Sequence, residues 1–119
     1  SDMISNIRIK KNLKNKKFLK RIFSIEEIEN GSKLKNKFMY FSKRFAAKEA
    51  FVKALGTGFR DNINFNSISI LNDKKGKPYL KCEKSLNKKI KVLTKKKKLN
   101  VFLSLADEKD YSLAFVIIQ

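Results

Sequence analysis

One long helix, from about Lys37 to Leu55, constrains the fold of this chain more than any other feature. At about 100° per residue, a single apolar stripe contains Phe38, Phe41, Phe45, Val52 and Leu55. A ridge of small residues contains Ala46, Ala50 and Ala54. A helix that is apolar nearly all round must be covered by the rest of the domain, so we expect it at the centre, ending at Gly56.

Two charged residues, Glu49 and Lys53, lie one turn apart at the edge of the apolar stripe. The simplest reading is an i, i+4 ion pair that contributes roughly 0.2–0.5 kcal/mol. The alternative is that Glu49 holds a divalent cation while Lys53 neutralises a neighbouring phosphate. The spacing alone leaves both readings open.

Composition restricts the chemistry that this chain can perform. The 119 residues predict one domain, and the absence of histidine excludes a Ser-His-Asp or Cys-His mechanism and the usual zinc site. A formal charge of +18 predicts attraction to polyanions, nucleic acid included, or to an acidic protein. The lone Cys82 fits a reducing compartment, and no apolar run approaches the roughly 18 residues that span a bilayer, so a cytoplasmic protein is expected.

The remaining pattern predicts an α+β fold. Residues 9–23 read as one basic amphipathic helix, and Ser24 with Glu27 forms a capping box for a short helix that ends near Gly31. Strands are predicted at 65–71, 79–81, 101–106 and 112–118, with a turn at 72–78 and a helix at 85–93. The last strand is apolar on both faces, so both should be covered, one by the central helix and the other by a neighbouring subunit.

The run from Arg44 to Gly58, Arg-Phe-Ala-Ala-Lys-Glu-Ala-x-x-Lys-Ala-Leu-Gly-Thr-Gly, closely resembles the signature of the holo-(acyl-carrier-protein) synthases, small bacterial phosphopantetheinyl transferases. Three further segments resemble that family in the same order: Asp2-Met3-Ile4, residues 23–27 and Gly76-Lys77-Pro78. The resemblance implies a single 4'-phosphopantetheinyl transferase domain over residues 1–119, its first strand truncated. It also implies a small antiparallel sheet wrapped around a long central helix, in a homotrimer with active sites between subunits.

The implied reaction is Mg²⁺-dependent transfer of the 4'-phosphopantetheine arm of coenzyme A to a serine of apo acyl carrier protein, in lipid biosynthesis. The resemblance assigns magnesium to Asp2 and Glu49, and catalysis to Glu49 and Lys53. The residues that the resemblance implies for contact with coenzyme A are Arg44, Lys48, Lys53, Gly56, Lys77 and Pro78. Asp107 stands where the family commonly has a histidine, which predicts a repulsive coenzyme contact there.

The acidic carrier protein is expected to dock on the first helix and the arginine before it. The residues implied are Arg8, Lys14, Lys17, Phe18, Lys20, Arg21 and Ile22. Two other functions remain open from the sequence. One is a basic nucleic-acid-binding module, favoured by the charge and by residues 95–98. The other is a non-catalytic homologue, favoured by Asp107 and by Ser5, which stands where the family usually has a glutamate three residues after the aspartate.

Overall fold

The computed structural model describes residues 2–56, 62–108 and 110–119, with residues 2–8 described by their backbone alone. Helix α4, Lys37–Leu55, runs through the middle, and its Phe41, Ala46 and Phe51 side chains are buried. Gly56 ends α4 at a φ of 107°, a backbone conformation that favours glycine. Both predicted bounds of this helix are confirmed. Neither α4 nor any other described helix is long and apolar enough to cross a membrane.

A three-stranded antiparallel sheet packs on α4. Its strands are β1, Asp2–Ser5, β4, Val101–Asp107, and β5, Tyr111–Ile118, in the order β1-β5-β4. Ala114 and Val116 of β5 are buried on the side that meets the helix. The predicted final strand and its apolar inner face are therefore confirmed.

The opposite face of this sheet is apolar and open. Phe102 pairs directly with Ile117 across β4 and β5, and their exposed fractions are 54% and 57%. Phe115, on the same outward side of β5, is 51% exposed. Of the two faces predicted to be covered, the described residues cover the one that meets α4, and they leave these three side chains of the other face more than half exposed.

A second, two-stranded sheet lies beside α4 and helix α3, Ile25–Ser32. It joins β2, Ile68–Asn72, to β3, Pro78–Cys82, through the predicted turn. The strand predicted from residue 65 begins later, because Phe65–Ser67 form a 3-10 turn. Helix α5, Lys84–Thr94, follows and buries Leu86 and Ile90.

The N-terminal helical region differs from the prediction. In place of one helix over 9–23, the structure has α1, Asn6–Asn12, and α2, Lys16–Ile22. The Asn15 side chain accepts hydrogen bonds from the backbone N–H groups of Lys17 and Phe18, which starts a new helix there. Helix α3, Ile25–Ser32, has the predicted capping box between Ser24 and Glu27.

Candidate active site

Glu49 lies on α4 at an open cleft of about 380 Å³ between that helix, α2 and the segment before β2. The cleft is lined by Arg21, Ile22, Phe45, Glu49, Ile63, Asn64 and Phe65. Glu49 is half-buried there. The structure thus brings a predicted metal ligand next to two residues predicted to dock the carrier, Arg21 and Ile22.

The second predicted metal ligand, Asp2, lies on β1, which packs against α4. Asp2 pairs with Ala114 in the sheet, and its side chain is outside the described atoms. In the described part of the chain, no three Asp, Glu, His or Cys side chains converge on one point. Mg²⁺ commonly uses one or two carboxylates and fills its octahedron with water and phosphate oxygens, so the donor chemistry of Asp2 and Glu49 fits it.

Lys53 lies in the last turn of α4 and is exposed. The backbone N–H of Gly56 donates to the carbonyls of Val52 and Lys53, which closes the helix about two turns beyond Glu49. Thr57 and Gly58 of the signature lie outside the described residues. The ammonium of Lys53 is therefore on the surface, where a phosphate could reach it.

Lys48 differs from its neighbour because it lies wholly inside the protein, with 0% of its side chain exposed. Its ammonium donates to the Ile22 carbonyl at 2.7 Å, to the Phe65 carbonyl at 3.0 Å and to the Glu27 carboxylate. Burial lowers the pKa of this ammonium to about 8, against the attraction of Glu27, which raises it. All three of its N–H donors are used within the protein, so the phosphate contact implied for Lys48 would require one of these bonds to be given up, and it stays a prediction.

Glu27 makes more contacts than its predicted capping role requires. The capping box explains its bond with the Ser24 backbone N–H, 2.9 Å long, but the carboxylate also accepts from Lys48 and from the Ile70 backbone N–H at 3.0 Å. It is fully buried. The sequence predicted Glu27 as the N3 residue of a capping box and as part of the segment 23–27 that resembles the family, but neither pattern indicates that it pairs with Lys48.

Arg44 lines a second cleft, of about 510 Å³, together with Lys43, Gly76 and Pro78. Its guanidinium stacks over Tyr40 at 3.6 Å and donates to the Ile70 carbonyl and to Asn72 Oδ1. Burial lowers the pKa of Arg44. Some of its five N–H groups remain after these bonds, so its contact with coenzyme A stays a prediction.

Asp107 does not present an unbalanced negative charge to this second cleft. Its carboxylate pairs with the Lys43 ammonium at 3.1 Å. Lys77 is exposed, and its backbone N–H is held by Asp73 in the turn before Pro78. The repulsion expected at Asp107 is therefore offset by Lys43, a partner that lies 64 positions earlier in the chain and that the sequence does not reveal.

The predicted docking residues divide into two groups. Lys14, Lys17, Lys20 and Arg21 are exposed, whereas Phe18 and Ile22 are half-buried and pack against the core. Phe18 makes edge contacts with Phe23 and Phe45, with ring centroids 6.4 Å apart in each pair. Arg8 is described by its backbone only. The charged part of this surface is available to a partner, while the two apolar residues also serve the fold.

Comparisons with known proteins agree on one family. The model of the 4'-phosphopantetheinyl transferase superfamily, ACPS, matches residues 2–116. A holo-(acyl-carrier-protein) synthase from Pelagibacter ubique (strain HTCC1062) is 52% identical over 99% of this chain and 92% of its own length. The corresponding figures for the synthase from Clostridium tetani (strain Massachusetts / E88) are 42%, 99% and 91%.

Solved structures show the same likeness. The crystal structure of the synthase from Neisseria meningitidis is 38% identical, with a TM-score of 0.85, over 99% of this chain and 94% of that one. The synthase from Bacillus anthracis str. Ames, solved in complex with CoA (3',5'-ADP), is 33% identical, with a TM-score of 0.79. That match covers 98% of this chain and 90% of the other.

Proposed function

The chain belongs to the holo-(acyl-carrier-protein) synthases of the 4'-phosphopantetheinyl transferase superfamily, and from this we propose that it charges an acyl carrier protein. The serine Oγ of the apo carrier attacks the β-phosphorus of coenzyme A. The bond from that phosphorus to the bridging oxygen breaks, which releases adenosine 3',5'-bisphosphate. The serine proton leaves to an acceptor that we do not assign to a side chain.

The observation that carries this proposal is the placement of Glu49. It lies half-buried on α4 in a cleft whose opposite wall contains Arg21 and Ile22 of the basic helix α2. A carboxylate in that position could hold a cation shared with the phosphates of coenzyme A while a carrier contacts α2. The spacing of Glu49 and Lys53 then places a cation ligand and a phosphate-neutralising charge one helical turn apart, which goes beyond a surface ion pair.

We assign magnesium to Asp2 and Glu49, whose two carboxylates suit a hard cation shared with phosphate oxygens. When bound, the ion supplies charge neutralisation at the pyrophosphate. Lys53 provides a compact positive charge for the same phosphates from one turn away. Gly56 lets the chain turn directly after that lysine, at the positive φ that the structure has there.

The carrier is recognised mainly by charge. Lys14, Lys17, Lys20 and Arg21 form an exposed basic surface on and before α2, with Arg8 preceding it. An acidic carrier helix would be steered to this surface, and salt would slow its association. Ile22 brings the docked partner to the wall of the Glu49 cleft.

We assign the active unit to a homotrimer with composite sites. Arg44 and Glu49 are five positions apart on α4, so their side chains leave the helix about 140° apart and line different clefts. A coenzyme that contacts both sets of residues is accommodated most simply between two copies. The open apolar face at Phe102, Phe115 and Ile117 provides the surface for assembly.

Mass spectrometry of an apo carrier, incubated with this protein, coenzyme A and Mg²⁺, tests the proposal. We expect the carrier to gain one phosphopantetheine with wild-type protein and to stay unmodified with Glu49→Gln. Glu29→Gln, an exposed glutamate of α3 outside the Glu49 cleft, is the matched control and should transfer normally.

Other outcomes would overturn the assignment. A wild-type protein that binds the carrier without modifying it would be a non-catalytic homologue. Wild-type rates in Glu49→Gln would remove that residue from the site. Binding to nucleic acid with a salt dependence that exceeds any effect of coenzyme A would favour the basic module instead.

A further inference from the structure

The Lys48 ammonium joins the two walls of the Glu49 cleft. Ile22, on the α2 wall, accepts from Lys48 through its backbone carbonyl at 2.7 Å. Phe65, on the opposite wall, accepts through its carbonyl at 3.0 Å. Both residues line the cleft together with Glu49, so one side chain fixes the separation of the two walls.

The ammonium is itself fixed from behind by Glu27. That carboxylate is tied to two backbone N–H groups, one at the start of α3 and one in β2, at 2.9 and 3.0 Å. Ser24 adds a bond from the Ser69 hydroxyl at 2.7 Å. Because Glu27 and Lys48 are both fully buried, neither water nor salt can replace these bonds.

Stability alone does not explain why a charged pair occupies this place. A buried ion pair pays a large desolvation cost, and apolar residues of similar volume often serve the fold equally well. Here, two of the three acceptors of Lys48 are backbone carbonyls in the cleft walls. A further hydrogen bond between these walls runs from the Asn66 side chain to the Lys20 carbonyl, and because it is exposed, water can compete with it.

We propose that Lys48, held by Glu27, is a positioning residue that sets the width of the Glu49 cleft and so the approach of the carrier serine. Its catalytic consequence rests on the proposed function. A shift of about 1 Å in such alignment can reduce a rate about 100-fold. Coenzyme affinity should change little, since the hydrogens of Lys48 are all used within the protein.

The test uses the full chain with Glu27→Gln and Lys48→Met combined, which removes both charges and leaves neither one buried alone. We expect kcat, per folded protein at pH 7, to fall between about 10- and 100-fold, with KM for coenzyme A within about twofold of wild type. Ile90→Ala is the control, because it opens a cavity under α5, away from the cleft. It should lower stability and leave both constants unchanged.

Amide hydrogen exchange gives a second readout that needs no activity. The N–H groups of Phe23 and Ser67 are bonded within the two walls, and both should exchange at least tenfold faster in the double variant only. Unchanged kcat and unchanged exchange would overturn the inference. If wild-type protein does not transfer the arm, the proposed function fails, and exchange alone decides the role of Lys48. Should the variant not fold, Glu27→Gln with Lys48→Gln carries the same two readouts.

Discussion

Glu49 and Lys48 are adjacent on α4, but the first lies at a cleft and the second lies inside the protein, so we propose different roles for them. Glu49 lies half-buried at a cleft, where a carboxylate keeps access to a substrate. Lys48 points into the protein, where the cost of desolvating its charge is offset by an opposite charge and two carbonyls that accept its hydrogen bonds. A rotation of about 100° along one helix separates the predicted metal ligand from its support.

The lowered pKa of Lys48 gives a prediction for stability against pH. Its folded pKa of about 8 lies below the ordinary value of 10.5, so between these values the unfolded chain binds more protons than the folded one. The free energy of unfolding should therefore rise with pH through this window, by at most about 3 kcal/mol from this residue. Below pH 8, both states hold the proton and this contribution is constant.

Urea denaturation at pH 7.5, 9 and 10.5 measures the effect. Wild type and the Glu27→Gln, Lys48→Met double variant share every other charged residue, so the difference between the two proteins isolates the buried pair. Wild type should gain stability relative to the variant as pH rises. If the stability of wild type relative to the variant falls as pH rises, the ion pair raises the pKa of Lys48 more than burial lowers it.

At the scale of elements, the fold depends on how closely α3 approaches α4. Gly31, near the end of α3, lies against the rings of Tyr40 and Phe41. A Cβ built on Gly31 would come within 2.8 Å of Tyr40 Cδ1, closer than real contacts allow. The absence of a side chain is therefore what permits the contact that places Glu27 beside Lys48.

Gly31→Ala should consequently destabilise the protein, even though alanine favours a helix more than glycine does. Overpacking costs roughly 1–3 kcal/mol and the helical gain is at most about 1 kcal/mol, so we expect a net loss of about 1–2 kcal/mol. Urea denaturation at neutral pH measures it. Ser32→Ala, an exposed position in the same helix, should change stability by less than about 0.5 kcal/mol; equal effects at the two positions would contradict the packing argument.

At the scale of the whole molecule, α4 covers one face of the main sheet, and three large side chains on the other face are left open by the part of the chain that the structure describes. Phe102 and Ile117 are direct cross-strand neighbours on the other face, with Phe115 beside them, and all three are more than half exposed. Aromatic and branched side chains grouped in this way on a sheet mark an interface. The proposed homotrimer gives this face an occupant, a second copy of the chain.

Phe115→Glu should separate the subunits, because assembly would bury an unpaired carboxylate. We expect an apparent dissociation constant at least about 100-fold higher and a matching loss of transfer, since the proposed sites lie between copies. Light scattering after size exclusion gives the mass. Tyr79→Glu, an exposed aromatic on β3, is the control and should keep the wild-type mass. A wild-type monomer, or an unchanged mass for Phe115→Glu, would contradict this assembly.

Local patterns determined much of this protein without any tertiary structure. The bounds of α4, the capping box at Ser24, the turn before Pro78 and the final strand follow from periodicity and from residues a few positions apart. The signature around Glu49 identified the family for the same reason, because its letters are contiguous. The break at Asn15 was missed because a side-chain cap competed successfully with continued helical periodicity.

Only the tertiary structure decided which charges lie at a cleft or on the surface and which are bonded inside the protein. Lys48 meets Glu27 across 21 positions and Phe65 across 17, and Asp107 meets Lys43 across 64. No local pattern encodes such pairs, since each depends on how separate elements pack. The sequence therefore predicted the helix that carries the candidate site, and the packing around that helix determined the surroundings of each charged residue on it.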